Sequence, residues 1–208
     1  MRKTRFAMRP DRQQSSIAQA FEQLLYLAAD LSASVNQRPY RWLTMWLWHG
    51  SAPGILCYRL NRFGYLLFGR SYRVIRVLLW PFFQALRIFG PVLEISYHAH
   101  IAPGLRIPHP TLGVMVSGHA KCGHGLVLTG GSWIALRSPD FPGDIRVGNN
   151  VVLRANAAAL GPVNIGDNSL IGTGAVSLSN CRSASTMVGV PAQPVLDRSS
   201  RAAAPGTL

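Results

Sequence analysis

Thirty residues, 147–176, constrain the fold most: they read VGNNVV, LRANAA, ALGPVN, IGDNSL and IGTGAV, five six-residue units with nothing inserted between them. The first position of each unit holds Val147, Leu153, Ala159, Ile165 and Ile171, and the fifth holds Val151, Ala157, Val163, Ser169 and Ala175, all apolar or small. A helix repeats at about 3.6 residues and a plain strand at about 2, so a strict six points to a solenoid of short flat strands that turn at small residues. One unit is too small to bury a core. Coils stacked about 4.8 Å apart bury their apolar columns against one another and stabilise each other.

The register extends towards the N-terminus. Ile95, Ile101 and Ile107 open hexads with Ala99, Leu105 and Thr111 in fifth place, and Val116, Cys122, Leu128 and Ile134 open a second set with Ala120, Leu126 and Ser132. Ile107 and Val116 stand nine residues apart instead of six, and the loop 136–144, with Pro139, Pro142 and Gly143, interrupts the repeat again. At these breaks side chains are free to leave the wall.

The whole chain has 208 residues, 48% apolar and 14% charged, enough for one core and an accessory segment. Its formal charge of +13 is almost all arginine, and eight arginines but no Asp or Glu lie between Asp30 and Glu94. That half prefers anionic neighbours. Residues 1–13 form a basic arm without the apolar stretch of a signal peptide, so secretion is not expected. Residues 14–92 read as an α-helical, aromatic and arginine-rich segment, 93–195 as the β-helical domain, and 196–208 as a tail that frays. Ser15 or Ser16 caps a helix through Ile17, Phe21, Leu24, Leu25 and Ala28, whose spacing suggests a packing face. From Trp42 onwards, arginines alternate with aromatic residues. The longest run there free of charged residues and of histidine has ten residues and contains Pro81, well short of the roughly 20 that span a bilayer. Two readings remain for this half: a site at anionic lipid headgroups, or helices packed on the β-helix or a second subunit. Cys57, Cys122 and Cys181 are too few and too scattered for a disulfide framework or a thiolate metal site; Cys122 occupies a core column.

Five histidines, His98, His100, His109, His119 and His124, fall in the first coils. His109 lies in IPHPT, just ahead of the nine-residue step, where a ring can point outwards. Glu94 precedes it by fifteen residues, near the length of one three-hexad coil. A carboxylate there fixes the imidazole tautomer and stabilises its protonated form, as a general base requires. The alternative for this pair is a surface salt bridge.

The segment EISYHAHIAPGLRIPHPTLGVMVSGHAKCG, together with the closing VGVPAQPV, resembles the serine acetyltransferase-like branch of the hexapeptide acyltransferases, which includes polysaccharide O-acetyltransferases. The resemblance covers about residues 60 to 195. It implies a left-handed parallel β-helix of hexapeptide repeats after an α-helical N-terminal segment, a homotrimer, and acetyl-CoA as co-substrate in the groove between neighbouring β-helices, with no metal. It further implies that His109 deprotonates the acceptor hydroxyl, supported by Glu94, where serine acetyltransferases carry an aspartate. By position, Ala155, Gly161, Gly172, Gly189 and Pro191 line the cofactor groove.

Three departures bear on the acceptor. Pro108 replaces the aspartate that precedes the base, the stretch from His109 to the next coil is one residue longer, and the second active-site histidine of those enzymes would fall near Asp144. The residues expected to hold free serine are thus missing, while Arg137, Asp140 and Phe141, with Asp144, suit a larger hydroxylated ligand; otherwise 136–144 is a plain surface loop. The expectation is a cytoplasmic acetyl-CoA-dependent O-acetyltransferase acting on a sugar, polysaccharide or lipid-linked saccharide, with peripheral contact to the inner face of an anionic membrane. Alternatives are a serine O-acetyltransferase, a zinc lyase like the γ-type carbonic anhydrases using His119 and His124 across subunits, and a non-catalytic scaffold. No basic-aromatic motif on a recognisable nucleic-acid fold supports specific nucleic-acid binding.

Overall fold

The computed structural model describes residues 17–35, 51–88, 93–138 and 143–195. The basic arm with Ser15 and Ser16, the tryptophans at 42, 46 and 48, Asp140, Phe141 and the C-terminal tail lie outside the described residues. Among the described residues four helices come first: α1 (Ile17–Val35), α2 (Ser51–Phe68), then a 3-10 turn (Gly69–Ser71), α3 (Tyr72–Leu78) and α4 (Trp80–Ile88). The strands follow, and up to β13 successive strands join different sheets.

One wall carries β1 (Leu93–Ile95), β3 (Val114–Val116), β6 (Trp133–Leu136), β9 (Ala158–Gly161) and β12 (Val176–Ser177). A second carries β2 (His100–Ile101), β4 (Ala120–Cys122), β7 (Ile145–Val147) and β10 (Val163–Ile165). The third carries β5 (Val127–Leu128), β8 (Val152–Leu153), β11 (Leu170–Ile171) and β13 (Thr186–Val188), closed by the antiparallel β14 (Gln193–Pro194). The other pairings are parallel, and the chain winds round a three-walled left-handed β-helix.

Met115 lies opposite Trp133 and Ala158 opposite Val176, each 18 residues on, so three hexads make one coil. Glu94 lies opposite Met115, 21 residues on, and Trp133 opposite Ala158, 25 on; the extra residues fall at the two breaks seen in the repeat. The last coil is instead two residues short, with Leu170 opposite Thr186.

The first-position column is buried from Ile101 to Ile171, and the fifth-position column likewise, except that Thr111 is exposed. Thr111 leaves its column because the chain makes a 3-10 turn there (Pro110–Leu112). Ile95, at the open first coil, is only half-buried. Cys122 is a buried column residue, and burial pushes its thiol up to about 12.

A first coil has no preceding rung to satisfy its backbone. Side chains of α2 do so. Tyr58 donates its hydroxyl to the Ala99 carbonyl at 3.0 Å, and Arg62 donates to the carbonyls of Tyr97 and His98 at 3.0 and 3.1 Å. Arg59, wholly buried, donates to the carbonyls of Ile101 (2.8 Å) and Ala102 (3.2 Å), to Gln23 (3.1 Å) and to Asp30 (2.8 Å). The other Asp30 oxygen accepts the backbone N–H groups of Gly104 and Leu105, at 2.8 and 2.9 Å. Burial raises the Asp30 carboxyl above its ordinary value, opposed by Arg59 and those two N–H groups.

This network corrects the reading of α1 as packed through its apolar stripe. Its buried face is Ala20, Gln23 and Asp30, while Ile17, Phe21, Leu24 and Leu25 are exposed. The reason is electrostatic: a buried guanidinium must meet its carboxylate, and the helix is turned to deliver it. Replacing Arg59 with Met would leave Asp30 buried without a cation and two carbonyls without a donor. The variant is expected to lose about 3–5 kcal/mol of stability, measured by urea denaturation.

Candidate active site

At two of the three edges of the prism, the fourth residue of each hexad turns the corner with a left-handed backbone: Gly104, Gly125, Gly131, Asn150, Asn156, Asn168, Gly174 and Ala184 all have positive φ. Glycine adopts that conformation freely and asparagine more readily than most residues. In the hexad opened by Ile107 the fourth residue is Pro110, whose ring holds φ near −65°. The left-handed turn therefore moves back one residue, onto His109, with φ 54° and ψ 60°. Pro110 is buried, Gly113 donates its N–H to the Pro110 carbonyl at 2.9 Å, and His109 is carried outside, exposed to solvent. On the next coil Gly130 packs directly against the His109 carbonyl, with no room for a Cβ.

His109 lies on the edge where the third wall passes to the first. Successive passes are tied by backbone bonds: Gly131 N–H to Gly113 carbonyl (2.6 Å), Asn156 to Gly130 (3.2 Å), Gly174 to Ala155 (2.9 Å) and Val176 to Gly189 (3.0 Å). The structure thus brings His109, Ala155, Gly172 and Gly189 onto one edge, with exposed Pro191 beside Gly189 at its C-terminal end. Glu94 stands at the middle of β1, its side chain exposed, one rung from Met115 on the wall that this edge opens. No ion pair joins Glu94 to His109; the ion pairs among the described residues are Arg59 with Asp30, and Lys121 and Arg146 with Asp144.

Other expected site residues lie elsewhere in the chain. Arg137 follows β6, donates its N–H to the Gly161 carbonyl at 2.9 Å and its guanidinium to the Leu178 carbonyl at 2.6 Å. Asp144, just before β7, accepts from Lys121 at 3.1 Å and from Arg146 at 3.5 Å; the Lys121 hydrogen bond above all holds its carboxyl below the ordinary value. Gly161 is buried at the end of β9 with its Cα against the Ile145 side chain. Arg137, Asp144 and Gly161 therefore belong to the edge between the first and second walls, apart from His109.

Burial, followed by the positive charge of Arg62, lowers the pKa of His98 and of His100. His119 lies with its Nδ1 3.3 Å from the Ser117 hydroxyl. Among the described residues no three His, Cys, Asp or Glu side chains form a group that could hold a metal.

Two residues near His109 and Glu94 escaped the sequence reading. One is Gly130. The other is Trp133, half exposed on the outer face of the first wall, in register with Met115 and hence two rungs from Glu94. Its signal was a large aromatic side chain just before a column residue, Ile134, where alternation directs it outwards.

A left-handed β-helix with an exposed histidine displaced from a break in its hexads defines the class as a hexapeptide-repeat acyltransferase. No family model matches the chain. A serine acetyltransferase of Helicobacter pylori is 33% identical over 162 residues, covering 74% of this chain and 86% of that protein. A serine acetyltransferase of Mycobacterium tuberculosis is 33% identical over 110 residues, half of this chain and 45% of that one. Among solved structures, serine acetyltransferase from Neisseria gonorrhoeae in complex with serine superposes with TM-score 0.66 and 26% identity, covering 86% of this chain and 72% of that one. A serine acetyltransferase in complex with CoA, 22% identical, shares the fold with TM-score 0.65. The chain belongs to the serine acetyltransferase family and is an acyltransferase.

A methyl group at Gly130 must push the His109 turn away. Gly130→Ala is expected to lower kcat by about 10²-fold while KM for the acyl donor stays close to wild type, since a displacement of about 1 Å costs that much in a positioned reaction. Steady-state kinetics, with a melting curve to confirm the fold, checks this.

Proposed function

We propose that the protein transfers acetyl from acetyl-CoA to a hydroxyl of a saccharide, with His109 as general base and Glu94 as the carboxylate that stabilises its protonated form. The acceptor O–H gives its proton to the imidazole as the oxygen attacks the thioester carbonyl. The C–S bond then breaks, and the thiolate of CoA takes the proton back from the imidazolium. The charge balance closes without a metal or redox partner. Small residues on the His109 edge, Ala155, Gly172 and Gly189, leave space for the extended arm of the donor, and Pro191 bounds it.

The observation that carries this reading is the division of the site over two edges. His109, Ala155, Gly172 and Gly189 lie on one edge, and Arg137, Asp144 and Gly161 on another. A groove containing both sets exists only where the edges of two neighbouring subunits meet, which a homotrimer of β-helices supplies three times. Arg137 and Asp144 then face the neighbour's base and serve as the acceptor side, to which the sequence alone adds Asp140 and Phe141.

A saccharide is favoured by the chain's own residues. No histidine follows His124, the resemblance puts the second active-site histidine near Asp144, and Trp133 offers an exposed aromatic face two rungs from Glu94. The basic N-terminal half further suits an anionic membrane surface, where lipid-linked acceptors are met. Serine O-acetylation is the second reading, and it is the one the named relatives favour, including a relative whose structure holds serine.

Replacing His109 with Ala is expected to lower kcat by about 10²–10⁴-fold with CoA affinity and the trimer intact, Glu94→Gln to do less, and the double variant to be little worse than His109→Ala. Losses that multiply would show that the two side chains do not act as one unit. The acceptor is decided by thiol release from acetyl-CoA with serine and with soluble oligosaccharides offered separately. The saccharide reading expects a kcat/KM at least about tenfold higher for a saccharide; preference for serine returns the chain to its relatives' reaction.

A further inference from the structure

Among the described side chains of α3, α4 and their link, those that anchor the pair lie towards α2 and the first coil. Tyr72 is buried and donates its hydroxyl to Asn61 at 3.0 Å, and Phe83 and Gln84 line a cavity of about 120 Å³ together with Arg76, Trp80 and Tyr97. The remaining surface is apolar and open: Val74, Val77, Leu78 and Phe82 are 68%, 73%, 76% and 51% exposed, and Trp80, which also lines that cavity, is 61% exposed. Arg70 and Arg73 are exposed in the same stretch, and Arg76 lies 5.0 Å from the ring centre of Tyr97. No carboxylate occurs in the sequence from residue 31 to residue 93.

We propose that α3 and α4 form a docking surface for an anionic lipid bilayer. Val77, Leu78, Trp80 and Phe82 enter the boundary between headgroups and acyl chains, and Arg70 and Arg73 meet the lipid phosphates. At seven and nine residues these helices are too short to cross a bilayer, and among the described residues no helix is long and apolar enough to do so. The helices lie in the plane of the surface.

Charge selects this occupant over a second copy of the chain. Two such faces brought together would oppose arginine to arginine with no acid on either side. The exposed stripe of α1 provides the contrast: Ile17, Phe21, Leu24 and Leu25 are equally open, but that helix contains no basic residue and includes Glu22. An apolar face flanked by cations fits lipid phosphate; one without them does not. The proposal extends the membrane contact suggested above by naming its surface, and it stands or falls independently of acyl transfer.

The test is flotation of the full chain with vesicles of phosphatidylcholine alone and of phosphatidylcholine with about one-third phosphatidylglycerol. The protein is expected to float with the mixed vesicles only and to be released by high salt. Val77→Glu with Leu78→Glu should lower the bound fraction roughly tenfold or more, and Arg70→Gln and Arg73→Gln about fivefold each. Leu25→Glu, on the α1 stripe, should bind as wild type. All of these side chains are exposed, and acyl transfer to a soluble acceptor should remain unchanged in each variant. Equal flotation with both vesicles, binding that survives Val77→Glu with Leu78→Glu, or loss caused by Leu25→Glu instead overturns the proposal. So does a lipid-free oligomer that Val77→Glu with Leu78→Glu dissociates, which would make a second copy the occupant.

Discussion

The buried pair of Arg59 and Asp30 is the joint on which the two halves of this protein depend. A β-helix must end somewhere, and its first coil exposes carbonyl and N–H groups that every later coil pairs with a neighbour. Arg59 supplies donors to two of those carbonyls and Asp30 supplies acceptors to two of those N–H groups. The pair is costly to bury, and apolar packing alone would do better on desolvation. What it provides in return is satisfaction of the coil end together with a fixed orientation of α1 and α2. Because the first coil carries Glu94, that orientation reaches the candidate site.

The hexapeptide rule allows little variation inside the prism, so chemistry must come from where the rule is broken. The shift of the left-handed turn from a fourth position to His109 is one such break, and its cause is local: proline cannot take positive φ. The same proline, Pro110, leaves the histidine outside the wall, and Gly130 beneath it gives the turn a floor. Loop 136–144 is the second break. It adds residues at a different edge, so one wall lies between His109 and the pair Arg137 and Asp144.

The repeat made the β-helical half legible at the level of single residues. The columns headed by Ile101 to Ile171 are buried as read, and both long coils occur at the irregularities visible in the sequence. Columns that recur every six residues leave no ambiguity of face, unlike a helix. The N-terminal half shows the contrast. On α1 the apolar stripe is the outer face, because the partner that decides its rotation is Arg59, 29 residues further on, and no local pattern announces a long-range ion pair. Gly161 read as a groove residue by its place in the repeat, yet its Cα packs on Ile145, a contact between coils that a one-dimensional column cannot express. Trp133 was visible as an outward residue, but its relation to Glu94 needed the 18- and 21-residue steps on either side of Met115.

The distribution of order along the chain has a functional consequence. The strictest repeats, at 147–176, also carry side-chain ladders at their corners: Asp167 accepts from the N–H of Asn149 at 2.6 Å, and Asn168 from the amide of Asn150 at 3.2 Å. Those coils are therefore stiff, and their edge presents small residues at a fixed spacing, which is what an extended donor molecule requires. The irregular coils at the other end hold every histidine of the β-helix and rest on a helical cap through a few buried polar contacts. Side chains can change at that end, in loop 136–144, at Trp133 or on the open face of α3 and α4, without disturbing the regular coils 147–176. A solenoid permits this separation because each coil depends mainly on its neighbours.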